Sequence, residues 1–238
     1  MLITGFPAAA FGTNCYVVAP AAGEECVVVD PGVEVTARLD EVLAEHRLRP
    51  VAVLLTHGHL DHTFSVTPVC GARGIPAYIH PGDDTLLADP MSGISRDAAA
   101  LFGGRFEWTE PDNVKPLADG EVLSIAGIDA TVDHAPGHTP GSVAFRLPED
   151  APDGRPEVML SGDLLFAGSI GRTDLPGGDH ATMLRSLATK VLTLPDTVVV
   201  LPGHGPQTTI GRERQANPFL QGLATGPPMP PVPPVRGL

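Results

Sequence analysis

The sequence predicts an α/β chain in which helices cover β-sheets. Two observations carry that expectation: short runs rich in valine, isoleucine and leucine recur along the chain, and two longer segments between them place apolar residues at helical spacing. The strand-like runs are Cys26–Asp30, Val51–Thr56, Ala77–His80, Ile128–Val132, Ser142–Leu147, Val158–Ser161 and Val198–Leu201. The first helix, Val35 to His46, sets Val35, Leu39, Val42 and Leu43 on one face. The second, His180 to Leu192, does the same with Met183, Leu184, Leu187, Val191 and Leu192. Asp179 stands where a carboxylate can accept from the free N–H groups opening that second helix. Between Gly82 and Pro116 the strand pattern lapses into a broken, partly helical surface of the kind that shapes pockets, and no role is assigned to 83–116.

Composition narrows the function classes. With 42% hydrophobic and 18% charged residues, the 238-residue chain has the balance of a soluble globular protein. The 27 glycines and 26 prolines fall mostly between the apolar runs, as tight turns require. One domain over residues 1–220 is expected. Residues 221–238, ending "GPPMPPVPPVRGL", make a Pro-rich, extended tail without a core-forming pattern. A net charge of −13 with no lysine- or arginine-rich cluster disfavours nucleic-acid partners. No run approaches the ~20 apolar residues of a membrane span. Cys15, Cys26 and Cys70 are odd in number and follow no CxxC spacing. Together with a start that lacks a secretion signal, they predict a reduced, cytoplasmic setting. Serine-hydrolase elbows, P-loops and dinucleotide fingerprints have no anchor in the chain.

The chemistry concentrates in "VAVLLTHGHLDHTFSV", residues 51–66. On an extended chain His57 and His59 alternate, so both imidazoles can face one side; Asp61 continues the period and His62 turns away. Four donors so close are more than one ion uses well, and two adjacent metals use them better. Further donors follow other apolar runs: His138 in "DHAPGHTPGS", Asp163 in "VMLSGDLLF" and His204 in "VVVLPGHGP". Each time a strand-like run stops, a glycine permits a sharp turn and a ligand-type side chain follows, where sites sit at strand ends. Imidazole and carboxylate donors suit zinc, and the mixed nitrogen and oxygen set also admits iron or manganese.

The T-H-x-H-x-D-H stretch, with "PGHT", "SGD" and "PGHGP" downstream, resembles the metallo-β-lactamase superfamily. That resemblance implies an αββα sandwich, two mixed β-sheets face to face with helices outside. It implies His57, His59 and His138 on one divalent ion, Asp61, His62 and His204 on a second, and Asp163 bridging them. "GTNCYVV", "VVVDPG", "GRTDLPGGDH" and "GHGPQTTIGRERQANPFL" are similar to compact bacterial glyoxalase-II-like thioester hydrolases. The carboxy-terminal helical domain that carries much of the glutathione site in hydroxyacylglutathione hydrolase has no counterpart after His204, so the thiol carrier stays open.

The activity so implied is hydrolysis of a small-molecule 2-hydroxyacyl thioester, such as S-lactoylglutathione or its equivalent with another thiol. Two ions would lower the pKa of a shared water from ~15.7 toward ~7, with Asp61 both ligating and orienting the nucleophile. A thiolate, whose conjugate acid has a pKa of ~8.5, leaves without a proton, whereas an amide nitrogen needs one. A persulfide dioxygenase with one iron, a lactonase and a β-lactamase are the alternatives. The complete donor set argues against a non-enzymatic role. Around the donors, Asp30 is expected to orient a ligand histidine or simply to make an Asp-Pro-Gly turn. His134 is expected to act outside the ligand set, and Arg172 and Asp174 to pair and buttress the loop after Asp163. Oligomeric state is left open.

Overall fold

Along strand β3 (Glu25–Val29) every residue after the first is buried, so both faces of the strand are covered. Cys26 and Val28 pack with Leu39, Val42 and Leu43 of helix Thr36–His46 and with Val66, Val69 and Cys70 of helix Val66–Arg73. Val27 and Val29 point the other way, into a layer with Val132, Phe145 and Leu160. The period-two alternation of a strand thus feeds two cores at once. The computed structural model describes residues 1–94, 108–149 and 154–223.

The first sheet runs in order β1 (Leu2–Pro7), β2 (Asn14–Ala19), β3, β4 (Arg49–Leu54), β5 (Ala77–Ile79) and β6 (Val114–Pro116). Its first three strands are antiparallel, and β3 to β6 pair in parallel. The second sheet comprises β7 (Val122–Ile125), β8 (Ile128–His134), β9 (Val143–Leu147), β10 (Val158–Gly162), β13 (Val199–Pro202) and β14 (Thr208–Thr209). They lie in the order β14-β13-β10-β9-β8-β7. Only β10 and β13 pair in parallel there, and a small hairpin, β11 (Leu165–Phe166) with β12 (Ser169–Ile170), stands apart. The outer face of the second sheet, through Ala144, Met159, Val198 and Val200, packs with Met183, Leu187, Val191 and Ile210. The layers are therefore helix, sheet, sheet, helix, the expected αββα sandwich of two mixed sheets.

The expected strands appear with ends shifted by two residues or fewer. The second helix covers His180–Ser186 and continues as a π turn over Leu187–Val191, and the Asp179 side chain accepts from Thr182 N–H at 2.7 Å. In the 83–116 segment, helix Asp84–Ala88 and a 3-10 turn at Pro90–Gly93 give the expected broken, partly helical course, but its end forms strand β6 where no strand was expected, and 95–107 lie outside the described residues. Most of the expected tail, from 224 on, lies outside them too. Among the described residues, no helix is long and apolar enough to cross a membrane.

Candidate metal centre

Both sheets deliver side chains to one end of the sandwich. The loop after β4 carries His57 and His59, and Thr56 O accepts from Val143 N–H of β9 at 2.8 Å, tying that loop across to the second sheet. His59 then opens a helical turn, Leu60–Thr63, with extended φ and ψ of −66° and 145°. Asp61 and His62 are thus consecutive positions on a helix. The extended period expected through Asp61 ends at His59, because the chain turns to bring His62 inward. His138 follows β8, Asp163 follows β10, and His204 follows β13.

The donor atoms converge in overlapping groups. His59 Nδ1 lies 2.8 Å from His138 Nε2, which lies 3.2 Å from His57 Nε2. His62 Nε2 lies 3.2 Å from His204 Nε2, and Asp61 Oδ2 is 3.2 Å from the same His204 atom. Asp163 stands between the groups: Oδ2 is 3.5 Å from His138 Nε2 and 3.6 Å from His204 Nε2, and Oδ1 is 3.3 Å from His62 Nε2. Within each of three sets (His57, His59, His138; His57, His62, Asp163; Asp61, His62, His204) the donor atoms lie within 4.8 Å of one another.

The outer ring nitrogens of His57, His62, His138 and His204 explain why these donors face inward as lone pairs. His62 Nδ1 donates to Asp30 Oδ2 at 3.0 Å, His138 Nδ1 to Arg172 O at 2.7 Å, and His204 Nδ1 to Phe11 O at 3.2 Å. Thr56 donates its hydroxyl to Asp30 Oδ2 at 2.6 Å and its N–H to Oδ1 at 2.8 Å. Its oxygen is thereby free to accept from His57 Nδ1 at 3.0 Å. In the neutral ring, hydrogen bonding at the outer nitrogen fixes the tautomer that leaves the inner one unprotonated. His57 Nε2 and His138 Nε2 then confront each other with lone pairs, and Asp163 Oδ1 is buried without a hydrogen-bond partner. A divalent cation fits that set: it removes the repulsion and satisfies the carboxylate.

Electrostatics separate the groups. Burial, then the neighbouring histidines, holds His57 well below its usual value, and burial with His138 takes His59 down to about 3. Burial pulls His62 down too, but Asp163, Asp61 and Asp30 outweigh it and leave it well above 6.5. His204 is raised likewise, burial being overcome by Asp61 and Asp163. Burial opposes charge on Asp61 and Asp163, yet His62 and His204 keep both carboxyls below the ordinary aspartate value.

Above these donors opens a cavity of about 590 Å³. His59, Asp61, His138, Asp163 and His204 form its polar base, and Phe11, Leu60, Ile94, Phe166, Ile170 and Leu175 its apolar wall. Gly203, beside His204, is bare because a Cβ there would lie 2.3 Å from Asp163 Oδ1 and 2.7 Å from His62 Cε1. Asp30 bonds to His62 and Asp174 touches no donor, while Arg172 reaches the centre through its backbone carbonyl on His138. Its guanidinium pairs with Asp174 at 2.7 and 2.8 Å on the surface. His134 does not join the centre. Its ring stacks on His80, centroids 3.9 Å apart, and its Nε2 donates to Pro140 O. Sequence reasoning missed Thr13, whose hydroxyl donates to Asp61 Oδ2 at 3.1 Å, and the Phe11 carbonyl on His204. No local spacing signals contacts made from 48 and 193 residues away.

Comparison with known proteins identifies the family and the fold. A family model described as the metallo-beta-lactamase superfamily matches residues 8–204. An uncharacterized protein of Mycobacterium tuberculosis is 48% identical over 94% of this chain and 100% of its own length. Hydroxyacylglutathione hydrolase GloC of Haemophilus influenzae is 35% identical, covering 92% of this chain and 98% of the relative. Among solved structures, BLEG-1 B3 metallo-beta-lactamase superposes with a TM-score of 0.80 at 39% identity, over 93% of this chain and 100% of that one. TTHA1623 in a di-iron-bound form gives 0.74 at 40% identity, over 91% of this chain and 100% of that one.

Proposed function

The chain belongs to the metallo-β-lactamase superfamily as a metallo-hydrolase, and from that premise we propose that it hydrolyses small-molecule 2-hydroxyacyl thioesters. His57, His59 and His138 would hold one divalent ion, Asp61, His62 and His204 the other, and Asp163 would serve both. Zinc is the first choice for these donors and iron the second; the di-iron form of TTHA1623 makes iron worth assaying. Such a pair of ions supplies Lewis acidity and a water of lowered pKa. Asp61, ionised and steadied by the Thr13 hydroxyl, presents a carboxylate that orients the attacking water by accepting its proton in a hydrogen bond. Phe11, Phe166 and Ile170 shield the acyl group from bulk water.

One observation carries the choice of thioester over amide. Among the described residues lining the cavity, every carboxyl and imidazole belongs to the proposed ligand set. No separate acid stands ready to protonate an amine, and a thiolate does not need one. The likeness to GloC supports the same reading. A second reading, hydrolysis of a β-lactam ring, is favoured by the likeness to BLEG-1. Steady-state assays decide between them. Metal-loaded enzyme is expected to show its highest kcat/KM on lactoyl thioesters within a panel of thiol carriers, and more efficient turnover of any β-lactam would overturn the proposal. Residues 1–220 are taken as the single hydrolase domain, and the three buried free thiols suit a reduced, cytoplasmic setting.

A further inference from the structure

Asp83 ligates nothing in the proposed centre, yet its carboxylate joins the two loops that carry His57, His59 and His138. The side chain is fully buried, at 0% exposure. Its Oδ2 accepts from Gly58 N–H at 2.8 Å and from the Thr139 hydroxyl at 2.6 Å, and its Oδ1 accepts from Gly141 N–H at 2.6 Å. Gly58 lies between His57 and His59, and Thr139 directly follows His138. One loop leaves β4 of the first sheet and the other leaves β8 of the second, and the one carboxylate bonds to both beside the histidines themselves. The chain makes room for it: a Cβ on Gly141 would lie 2.7 Å from Asp83 Cγ. None of the side-chain bonds of Asp83 reaches Asp61, His62 or His204.

We propose that Asp83 is a positioning residue for the three-histidine ion alone, fixing the spacing of His57, His59 and His138 across the two sheets. The proposal rests on the two-metal reading given above. A carboxylate can accept at both oxygens, whereas an amide must turn an N–H toward one of the loops. Asp83→Asn therefore keeps the size of the side chain and sets an N–H against that of Gly58 or of Gly141, removing one arm of the clamp.

The test is a zinc titration of the chelator-stripped full chain with ¹⁵N-labelled histidines, so that each imidazole resonance reports its own ion. Asp83→Asn is expected to weaken zinc at His57, His59 and His138 by about 10–100-fold and to leave His62 and His204 within about threefold of wild type. Equal weakening at both sets, or none at either, overturns the proposal. Thr139→Val removes one of the three bonds and is expected to produce a smaller weakening confined to the same three histidines. If Asp83→Asn does not fold, Thr139→Val decides alone, and an unchanged or unselective titration then overturns the proposal. Wild-type protein that takes up only one ion defeats the two-metal reading itself. Wild-type protein that takes up two, beside an unselective Asp83→Asn, defeats only the role of Asp83.

Discussion

The two donor groups differ in the protons they hold before any ion arrives. His57 and His59 are already neutral near pH 7, because burial keeps them far below 6.5. His62 and His204 are raised above 6.5 by the carboxylates around them, so they carry protons that a ligating imidazole must shed. Each fall in pH below those raised values opposes loading of the Asp61, His62 and His204 group, whereas His57 and His59 take up no proton until far more acidic conditions. Lowering the pH from about 8 to about 6 is therefore expected to weaken zinc at the Asp61, His62 and His204 group more than at the group holding His57 and His59. Competition with a chromophoric chelator measures this, and parallel weakening at both groups would contradict it. At this scale the side chains that converge were legible, since His57, His59, Asp61 and His62 crowd one short stretch and His138, Asp163 and His204 each follow a glycine beyond an apolar run. Thr13, Asp83 and the Phe11 carbonyl were not, because a hydrogen bond across the fold leaves no trace in local spacing.

Helix Ile210–Ala216 shows how an element outside the centre shapes the cavity. Its Glu213 is buried and accepts from Gly168 N–H at 2.7 Å, from the Thr208 hydroxyl at 2.5 Å and from Asn217 Nδ2 at 2.9 Å. Asn217 Nδ2 also donates to Ser169 O at 3.0 Å. Together they pin the β11–β12 hairpin, which sends Phe166, Ser169 and Ile170 into the cavity lining. Glu213→Ala strands several buried donors at once. It is expected to cost about 3 kcal/mol in urea unfolding and to raise KM more than it lowers kcat. An unchanged KM would separate the hairpin from substrate binding. Strongly periodic elements were legible here, the weak ones were not. Helix Val66–Arg73 escaped notice because Pro68 and Gly71 interrupt it, although a proline in the first turn forfeits no helical bond. Strands β1 and β2 escaped because Gly5 and Asn14 dilute their apolar character.

For the whole molecule, layer order was available only through family resemblance. Periodicity marks which faces are apolar, but not that β13 returns to lie parallel beside β10. Global stability should register the ions directly. Ligand that binds only the folded state at ~100 times its Kd adds about 2.7 kcal/mol, so chelation is expected to lower Tm and zinc to restore it. Identical melting curves with and without chelator would count against bound metal in the fold.

The first sheet brings His57, His59, Asp61 and His62, and the second brings His138, Asp163 and His204, so neither sheet completes a donor group alone. Asn14 N–H also donates to Gly203 O at 2.7 Å, and the Tyr16 hydroxyl to Pro202 O at 2.8 Å, near the same edge. With its ions seated the sandwich is a book with a clasped edge. Under load, prising open the clasped side would mean breaking coordination bonds as well as parting apolar surfaces.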